Sequence, residues 1–379
     1  MPVSFYDFKR LHSVELQKNA LLLFSEIIEQ NSYIDGKYNK IFETEFAKHQ
    51  QAKHCILVAN GTDAIELALE AKNIGTGDKV GIPGITFHAT AEAVLNRGAE
   101  PVLIDVDPLT GLISIDSLKR ILSHTFLKAI IPVHIYGLPA PISKLEQICR
   151  PRGITIIEDG AQAHGTLLDD GEENLERGDL KPVGSSDNLT TFSFYPTKNL
   201  GAFGDAGAIL TQSDDDAQKL LSLRNHGRSS RGLQFFGRNS RCDHFQAAIL
   251  YLKLPSLKEH NKRRTEIAGQ YLQLLSSSLP ELGLPGKNFL HSSSWHLFPI
   301  LLKNREQKLR LKDHLERKQI ASTLFYERSL GEERPLLDIP GERTLSTSFA
   351  EKVLCLPIHP CLEEDEVTEV VEGIKEFLA

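Results

Sequence analysis

The sequence lacks any Cys-x-x-Cys pair, and its cysteines are odd in number and scattered (Cys55, Cys149, Cys242, Cys355 and Cys361). Zinc sites and disulfide frameworks use paired, regularly spaced cysteines, so this pattern argues against both. Apolar runs are short, and none approaches the ~20 residues that cross a bilayer. The N-terminal residues carry charges and have no apolar segment before a cleavage site, unlike a signal peptide. We therefore expect a cytoplasmic protein with no metal site and no membrane partner.

The chain also lacks an excess of positive charge. It has 43 Lys and Arg against 50 Asp and Glu, which gives a formal net charge of −7. Such a chain has no overall attraction for phosphate backbones, so we expect no nucleic-acid partner. Of its 379 residues, 41% are hydrophobic, which is enough for a large core and excludes a disordered chain. At roughly 150 residues per domain, this length favours two or three domains.

Short apolar segments alternate with helical patterns through the first two thirds of the chain. Residues 54–59 (HCILVA) are typical of a buried strand, and residues 62–73 (TDAIELALEAKN) have apolar positions at helical spacing. The alternation predicts further strands at 79–82, 101–105, 128–133, 154–158, 189–195 and 206–211. It predicts helices between them at 86–97, 115–122 and 141–150. This pattern is typical of an α/β fold, a mostly parallel sheet with helices on both faces.

The pattern changes after about residue 243. The remaining sequence predicts a helical stretch, two strands and a C-terminal helix, at 243–278, 295–302, 319–324 and 363–378. We therefore expect a large domain over residues 1–250 and a small C-terminal α/β domain, with the linking helix, over 251–379. Ligands of open parallel sheets bind beyond the carboxyl ends of the strands, so functional residues are expected there.

Asn60, Gly61 and Thr62 lie between the first predicted strand and its helix. Glycine lets the backbone approach a ligand closely, and the helix start offers unpaired N–H groups to an anion of phosphate size. A simple helix cap at a tight turn explains these residues equally well.

Asp159 follows the strand predicted at 154–158, with Gln162 and His164 close behind. A carboxylate at this position faces the ligand crevice, where it can pair with a cationic ligand atom, although a helix cap or surface turn is the alternative. The nearby Gln162 and His164 can point into the same crevice. A single histidine is more often structural.

Ser193 and Lys198 lie where the strand predicted at 189–195 ends, and a glycine-rich segment follows. A lysine on such a loop is usually a solvated charge. Here it is surrounded in sequence by Phe192, Phe194 and Tyr195, and desolvation would lower its pKa. The neutral amine is the form that makes a Schiff base with an aldehyde.

A phosphate site, then an acid at a strand end, then a lysine about forty residues later is the chain order of a pyridoxal phosphate site. The sequence resembles the DegT/DnrJ/EryC1/StrS sugar aminotransferases, members of the aspartate-aminotransferase fold class. The resemblance covers nearly the whole chain and includes NGTDAIELAL, IIEDGAQAHGT, FSFYPTKNLGAFGDAGAI, GRNSRCDHFQAAIL and SSWHLFPI. It implies pyridoxal phosphate fold type I, a large domain with a mostly parallel seven-stranded sheet and a smaller C-terminal domain.

The resemblance implies a role for each matching residue. Lys198 would hold pyridoxal 5'-phosphate as a Schiff base and, once free, shuttle a proton, while Asp159 would pair with the pyridine nitrogen. The remaining cofactor contacts would be Gln162 beside the phenolic oxygen, Phe87 on the ring face, and Gly61, Thr62 and Ser193 at the phosphate.

Asn239 matches a residue that reaches the phosphate from the neighbouring subunit, which implies a homodimer with shared active sites. Arg241 is a candidate for binding a substrate carboxylate or phosphate, and His164 and Tyr326 are candidates for sugar contacts. Arg224, Arg228, Arg231, Arg238 and Arg241 form a basic cluster that would suit an anionic sugar nucleotide.

The implied reaction is transfer of an amino group from glutamate to a keto sugar nucleotide, carrying dTDP or UDP, at sugar carbon 3. Transfer at carbon 4 and a non-catalytic, cofactor-binding regulator remain alternatives. A nicotinamide-dependent dehydrogenase is disfavoured because residues 60–65 contain no Gly-x-Gly-x-x-Gly run. Residues 169–182 form an insertion beside the expected site, which would shape substrate choice or only border it.

Overall fold

The computed structural model describes residues 2–168, 180–230 and 232–378. The helices of these residues are α1 (Phe8–Leu11), α2 (Val14–Glu29), α3 (Lys37–His49), α4 (Gly61–Ala71), α5 (Ala89–Asn96), α6 (Ile115–Leu122), α7 (Ile142–Cys149), α8 (Asp214–Leu223), α9 (His244–Lys253), α10 (Leu257–Ser278), α11 (Arg305–Arg317), α12 (Thr344–Lys352) and α13 (Glu364–Leu378). The predicted insertion at 169–182 lies outside the described residues up to residue 179.

The strands are β1 (His54–Val58), β2 (Lys79–Pro83), β3 (Glu100–Ile104), β4 (Ala129–Ile130), β5 (Thr155–Asp159), β6 (Leu167–Leu168), β7 (Lys181–Pro182), β8 (Leu189–Ser193), β9 (Gly207–Thr211), β10 (Arg228–Ser229), β11 (Gly232–Leu233), β12 (Phe298–Leu301) and β13 (Val353–Leu356). A seven-stranded sheet has the order β1-β9-β8-β5-β4-β2-β3. Strands β8, β5, β4, β2 and β3 run parallel to one another, whereas β9 is antiparallel to both β1 and β8. This is the mostly parallel seven-stranded sheet that the resemblance implies.

Helices cover both faces of this sheet, and the alternation of side chains along β1 shows how. Ile56 and Val58 belong to an apolar cluster with residues of α4, α5 and α8. Cys55 and Leu57 belong to a separate cluster with residues of α3 and α9. Because successive strand residues point to opposite faces, the two clusters lie on opposite faces of the sheet, each between the sheet and its helices.

The predicted strands of the sheet agree with the structure to within a few residues, apart from β4, which is reduced to two residues. The helical stretch predicted over 243–278 is divided into α9 and α10 at Leu254–Ser256. Pro255 lies at this break, because proline has no amide hydrogen and its ring clashes with the preceding turn of an α-helix.

The strand predicted at 319–324 is wrong. Ile320 makes only an isolated parallel bridge to Val3, and Thr323 only an isolated antiparallel bridge to Cys355, so no continuous ladder forms. Gln319, just before them, has a φ of 61° where the chain leaves α11. The strand β12 falls within the predicted segment 295–302, and its partner β13 was not predicted.

The C-terminal region packs directly on the sheet. One apolar cluster contains Ile104 and Ile156 of the sheet together with Ile267, Phe298 and Val370 from later in the chain. The division into two domains at residue 250 therefore stays a prediction.

Across the part of the chain that the structure describes, no helix has both the length and the apolar character needed to span a membrane. In the same residues, no three His, Cys, Asp or Glu side chains come together where they could hold a metal ion.

Candidate active site

A cavity of about 420 Å³ opens where the carboxyl ends of β5 and β8 meet the start of α4. This is the edge of the sheet at which ligands of open α/β folds bind. The cavity brings together most of the site residues that the sequence predicts: Gly61, Thr62, Phe87, Asp159, Gln162, Ser193, Lys198 and Tyr326.

The start of α4 forms one wall of this cavity. Asn60 caps the helix, since its side-chain oxygen accepts a hydrogen bond from the Asp63 amide at 2.8 Å. The amides at the first positions of a helix have no intrahelical acceptor, so those of Gly61 and Thr62 are available to an anion. A Cβ at Gly61 would lie 2.7 Å from the Ser193 Cβ, so only glycine lets this backbone approach Ser193. The structure thus confirms the helix cap. The amides of Gly61 and Thr62 in the same turn form an anion cradle, and phosphate binding there stays a prediction.

Asp159 is the last residue of β5 and is 5% exposed. Its carboxylate accepts hydrogen bonds from the Thr90 hydroxyl and the Ala161 amide, both at 3.0 Å. Burial raises the pKa of Asp159, while these two hydrogen bonds and the charge of Lys198 act in the opposite direction. The result is a fixed carboxylate on the cavity wall with room for a cationic partner.

Gln162 is held in one orientation. Its side-chain oxygen accepts a hydrogen bond from the Tyr136 amide at 2.6 Å, and because a backbone N–H can only donate, the oxygen position is assigned. Its amide nitrogen donates to the Tyr326 hydroxyl at 3.3 Å. The ring centroids of Tyr326 and Phe87 are 6.3 Å apart, and Phe87 is 50% exposed. The two rings thus border the same part of the cavity.

Lys198 lies in the loop after β8, where its backbone amide donates to the Tyr195 carbonyl at 2.8 Å. Burial lowers the pKa of the Lys198 amine from 10.5 to about 8, and the Asp159 carboxylate opposes this shift. At pH 7 a lysine with that pKa is neutral in about one molecule in ten, hundreds of times more often than an ordinary lysine. The site therefore holds an amine that can attack a carbonyl carbon.

Some cavity residues were not found from the sequence, among them Tyr6, Thr197, Asp205 and His296. Tyr6 comes from the N-terminal segment, and its hydroxyl is hydrogen-bonded to Thr197, while burial raises the pKa of Tyr6 to about 12. No local sequence signal marks Tyr6. His296 lies in the segment SSWHLFPI, whose resemblance to the family does not by itself assign a role to this histidine.

Comparison with known proteins settles the family. The model of the DegT/DnrJ/EryC1/StrS aminotransferase family matches residues 14–375. The chain belongs to this family.

Individual members of the family are similar to this chain over nearly its full length. The dTDP-3-amino-3,4,6-trideoxy-alpha-D-glucose transaminase of Streptomyces venezuelae is 35% identical over 386 residues, which cover 99% of this chain and 96% of that protein. The crystal structure of S. venezuelae DesV in complex with a ketimine intermediate has a TM-score of 0.90 at 34% identity, covering 99% and 98% of the two chains. NtdA from Bacillus subtilis, solved with bound cofactor PMP, has a TM-score of 0.88 at 28% identity, covering 100% of this chain and 85% of that one.

Pyridoxal phosphate, whose amino form is PMP, is the cofactor that the family and these structures indicate. The cavity of this chain fits it. The cradle at Gly61, which a Cβ would fill, suits a phosphate group; the buried Asp159 suits a protonated ring nitrogen; and the amine of Lys198 suits an aldehyde.

His164 does not line the cavity, so its expected place at the substrate is corrected. It is 0% exposed, and its ring packs against Phe46, Phe192 and Phe194, with centroid distances of 6.4, 5.3 and 5.5 Å. Burial lowers the pKa of His164 to about 3. The turn after Asp159 directs this side chain into the aromatic core between the sheet and α3.

Asn239 and Arg241 also lie outside the cavity of their own chain. Asn239 is exposed, and a guanidinium nitrogen of Arg241 donates to the side-chain oxygen of Asn225. This position leaves Asn239 free to reach a neighbouring subunit, as expected from the resemblance, and no contact of the chain itself tests that role.

The basic cluster is neutralised in part within the chain, because two of its five arginines pair with glutamates. Arg224 pairs with Glu43 at 2.6 Å, and Arg238 pairs with Glu66. Arg228 is exposed, and Arg231 lies outside the described residues. Two of these positive charges therefore serve packing between elements.

The cradle at α4 gives a first prediction. Gly61→Ala should weaken pyridoxal phosphate binding at least about tenfold, a loss of ~1.4 kcal/mol, because the new Cβ and Ser193 cannot both keep their places. The affinity is measured by titrating apoprotein with the cofactor and following absorbance. Gly269→Ala is the control, since a Cβ there meets nothing closer than 3.8 Å and should leave the affinity unchanged. If Gly61→Ala bound pyridoxal phosphate as tightly as wild type, the start of α4 would not be part of the phosphate site.

Proposed function

We propose that this chain is a pyridoxal phosphate-dependent aminotransferase that transfers an amino group from glutamate to carbon 3 of a keto sugar nucleotide, in amino sugar biosynthesis. The observation that carries this proposal is the Lys198 amine, with a pKa lowered by burial, in one cavity with the Asp159 carboxylate and the α4 cradle. Family membership supports the reaction class, and the resemblance supports glutamate as the donor.

Lys198 has two tasks in this proposal. Its neutral Nζ would hold the aldehyde carbon of pyridoxal phosphate covalently, with the aldehyde oxygen leaving as water, and the lowered pKa favours this neutral form at neutral pH. Once an amino donor had replaced it, the free Nζ would remove and return a proton at the carbon that gains or loses the amino group. When bound, pyridoxal phosphate supplies an electron sink for the negative charge that develops at that carbon.

The other cavity residues orient the cofactor. Asp159 would keep a proton on the ring nitrogen through its fixed negative charge, and Gln162, held by Tyr136, would lie beside the phenolic oxygen. Phe87 would pack on the ring face. Gly61, Thr62 and Ser193 would bind the phosphate through the free amides of α4 and two hydroxyl groups.

The substrate class follows from the relatives. The S. venezuelae relative is named as a transaminase of a dTDP-linked 3-amino sugar, which favours carbon 3 over carbon 4 and an enzyme over a regulator. Gln162 points the same way, because we associate the carbon-4 enzymes with histidine at this position. We expect Tyr326, whose hydroxyl accepts a hydrogen bond from Gln162, to contact the sugar as well.

We further propose that the enzyme is a cytoplasmic homodimer in which Asn239 completes the phosphate site of the neighbouring subunit. Asn239 is exposed and does not line the cavity of its own chain, which supports a role in another copy. Arg241, two residues further on, would then approach the anionic part of the substrate.

The reaction is tested by incubating the protein with pyridoxal phosphate, glutamate and 3-keto sugar nucleotides carrying dTDP or UDP, with products identified by mass spectrometry. Wild type should form the 3-amino sugar nucleotide, and Lys198→Met should lose ~10²-fold to 10⁴-fold or more of the rate, since the proton-transferring amine is gone. Lys308→Met is the control, because Lys308 is equally straight-chained and 0% exposed but bonds only the Ala350 carbonyl, outside the cavity. Wild type that converts neither nucleotide, or Lys198→Met with full activity, would refute the proposal.

The shared site is tested by subunit complementation. Lys198→Met and Asn239→Ala should each be strongly impaired as homodimers. A mixed dimer of the two should regain activity, because one of its sites combines an intact Lys198 with an intact Asn239 from the other subunit. If Asn239 served its own chain, neither site of the mixed dimer would be complete and no activity would return.

A further inference from the structure

His296 lies just before β12 and lines the same cavity as Lys198, yet the proposed mechanism gives it no task. It is 4% exposed. A buried polar ring on a cavity wall is costly unless its hydrogen bonds are satisfied, by the protein or by a ligand.

Backbone carbonyls determine the orientation of Asn199, the side chain that bonds to His296, and of its neighbour Asn261. The Asn261 amide nitrogen donates to the His164 carbonyl at 2.7 Å, so the other Asn261 atom is its oxygen. The Asn199 amide nitrogen donates to the Ser294 carbonyl at 2.8 Å and to that Asn261 oxygen at 3.0 Å. Since a carbonyl can only accept, the atom of Asn199 that faces His296 must be its oxygen.

This chain of bonds fixes the tautomer of His296. Its Nδ1 lies 3.1 Å from the Asn199 oxygen, which can only accept, so Nδ1 carries the proton. Nε2 of a neutral ring then bears a lone pair. No residue of the described parts of the chain donates a hydrogen bond to this Nε2, which leaves it as an acceptor for a ligand in the cavity.

The surroundings also keep the ring neutral. Burial lowers the pKa of His296 well below its usual value, and the positive charges of Lys198 and Arg264 and the nearby His164 act in the same direction. Arg264 itself donates to the Trp295 and Ile358 carbonyls, at 3.3 and 2.7 Å, and so holds the backbone beside His296. The ring is thus fixed in position, in tautomer and in charge.

We propose that His296 is a substrate-contacting residue whose unprotonated Nε2 accepts a hydrogen bond from a hydroxyl group of the sugar. This proposal rests on the proposed function, which supplies a substrate with hydroxyl donors. A buried nitrogen that can only accept a hydrogen bond disfavours any ligand without a donor at that position. With such a ligand the nitrogen would stay buried and without a partner, which costs binding free energy. His296 would therefore help to determine which sugar the enzyme accepts.

The test uses the holoenzyme and His296→Asn. Asparagine can keep the hydrogen bond to Asn199 but has no atom at the position of Nε2. The probes are dTDP-glucose and UDP-glucose, which carry a hydroxyl where the substrate has a keto group, with binding measured by calorimetry. We expect wild type to bind one of them and His296→Asn to bind it about tenfold more weakly, with KM for glutamate unchanged. His314→Asn is the control, since that ring packs on Phe377 in α13, away from the cavity, and should bind as wild type does.

The outcomes separate the two proposals. If wild type binds neither sugar nucleotide, the proposed substrate class is wrong, and the role of His296 falls with it. If wild type binds one and His296→Asn binds it equally well, the proposed function stands and the role of His296 is refuted. A raised KM for glutamate with unchanged sugar binding would assign the contact to the amino donor and would equally refute it.

The tautomer can be measured without any variant or activity. In wild type labelled with ¹⁵N-histidine, the His296 signals should report a protonated Nδ1 and an unprotonated Nε2 between about pH 6 and pH 8. A protonated Nε2, or a ring that titrates in this range, would overturn the proposal even if His296→Asn failed to fold.

Discussion

The chemistry of this protein depends on one amine and one carboxylate that share a buried cavity. Burial favours the neutral form of both groups, because it lowers the pKa of Lys198 and raises the pKa of Asp159. The charge of each group opposes this shift in the pKa of the other. An apolar wall without Asp159 would give an uncharged lysine and no partner for a cationic ring. A solvated site would keep the lysine charged and unreactive. The balance between burial and mutual attraction therefore determines whether the site can hold its cofactor.

The sheet supplies this balance through its topology. Strands β5 and β8 run parallel and adjacent, so Asp159 and the loop carrying Lys198 emerge at the same edge. The start of α4 is brought to that edge by β1, which pairs with β9 and lies on the far side of β8. A Cβ at Gly207 would lie 2.4 Å from the Asn60 carbonyl oxygen, so glycine is required where β9 begins beneath the cradle. The position of the proposed phosphate site is thus a consequence of strand order together with two close backbone approaches.

Much of this arrangement could be predicted from the sequence because it depends on local patterns. Buried parallel strands are short apolar runs, and residues directly after them, such as Asp159, must lie at the ligand edge. The predictions that the structure corrected, and the site residues that the sequence did not indicate, depend on contacts between distant parts of the chain. His164 is close to Asp159 in sequence, but a tight turn directs its ring into an aromatic core contributed partly by Phe46, more than a hundred residues earlier. The charges of Arg224 and Arg238 are neutralised by glutamates of α3 and α4 that no spacing rule connects to them. Tyr6 and His296 reach the cavity from distant parts of the chain, and only the folded structure brings them there.

If burial makes Lys198 a reactive amine, the pH dependence of cofactor attachment shows it most directly. The rate at which pyridoxal phosphate becomes covalently bound to the apoprotein is followed by absorbance across a pH series. Only the neutral amine attacks the aldehyde, so the rate should rise with pH and reach its half-maximum near 8, the pKa to which burial lowers the Lys198 amine. A half-maximum near 10.5, the ordinary value for lysine, would contradict the account, and so would covalent attachment to Lys198→Met at the wild-type rate.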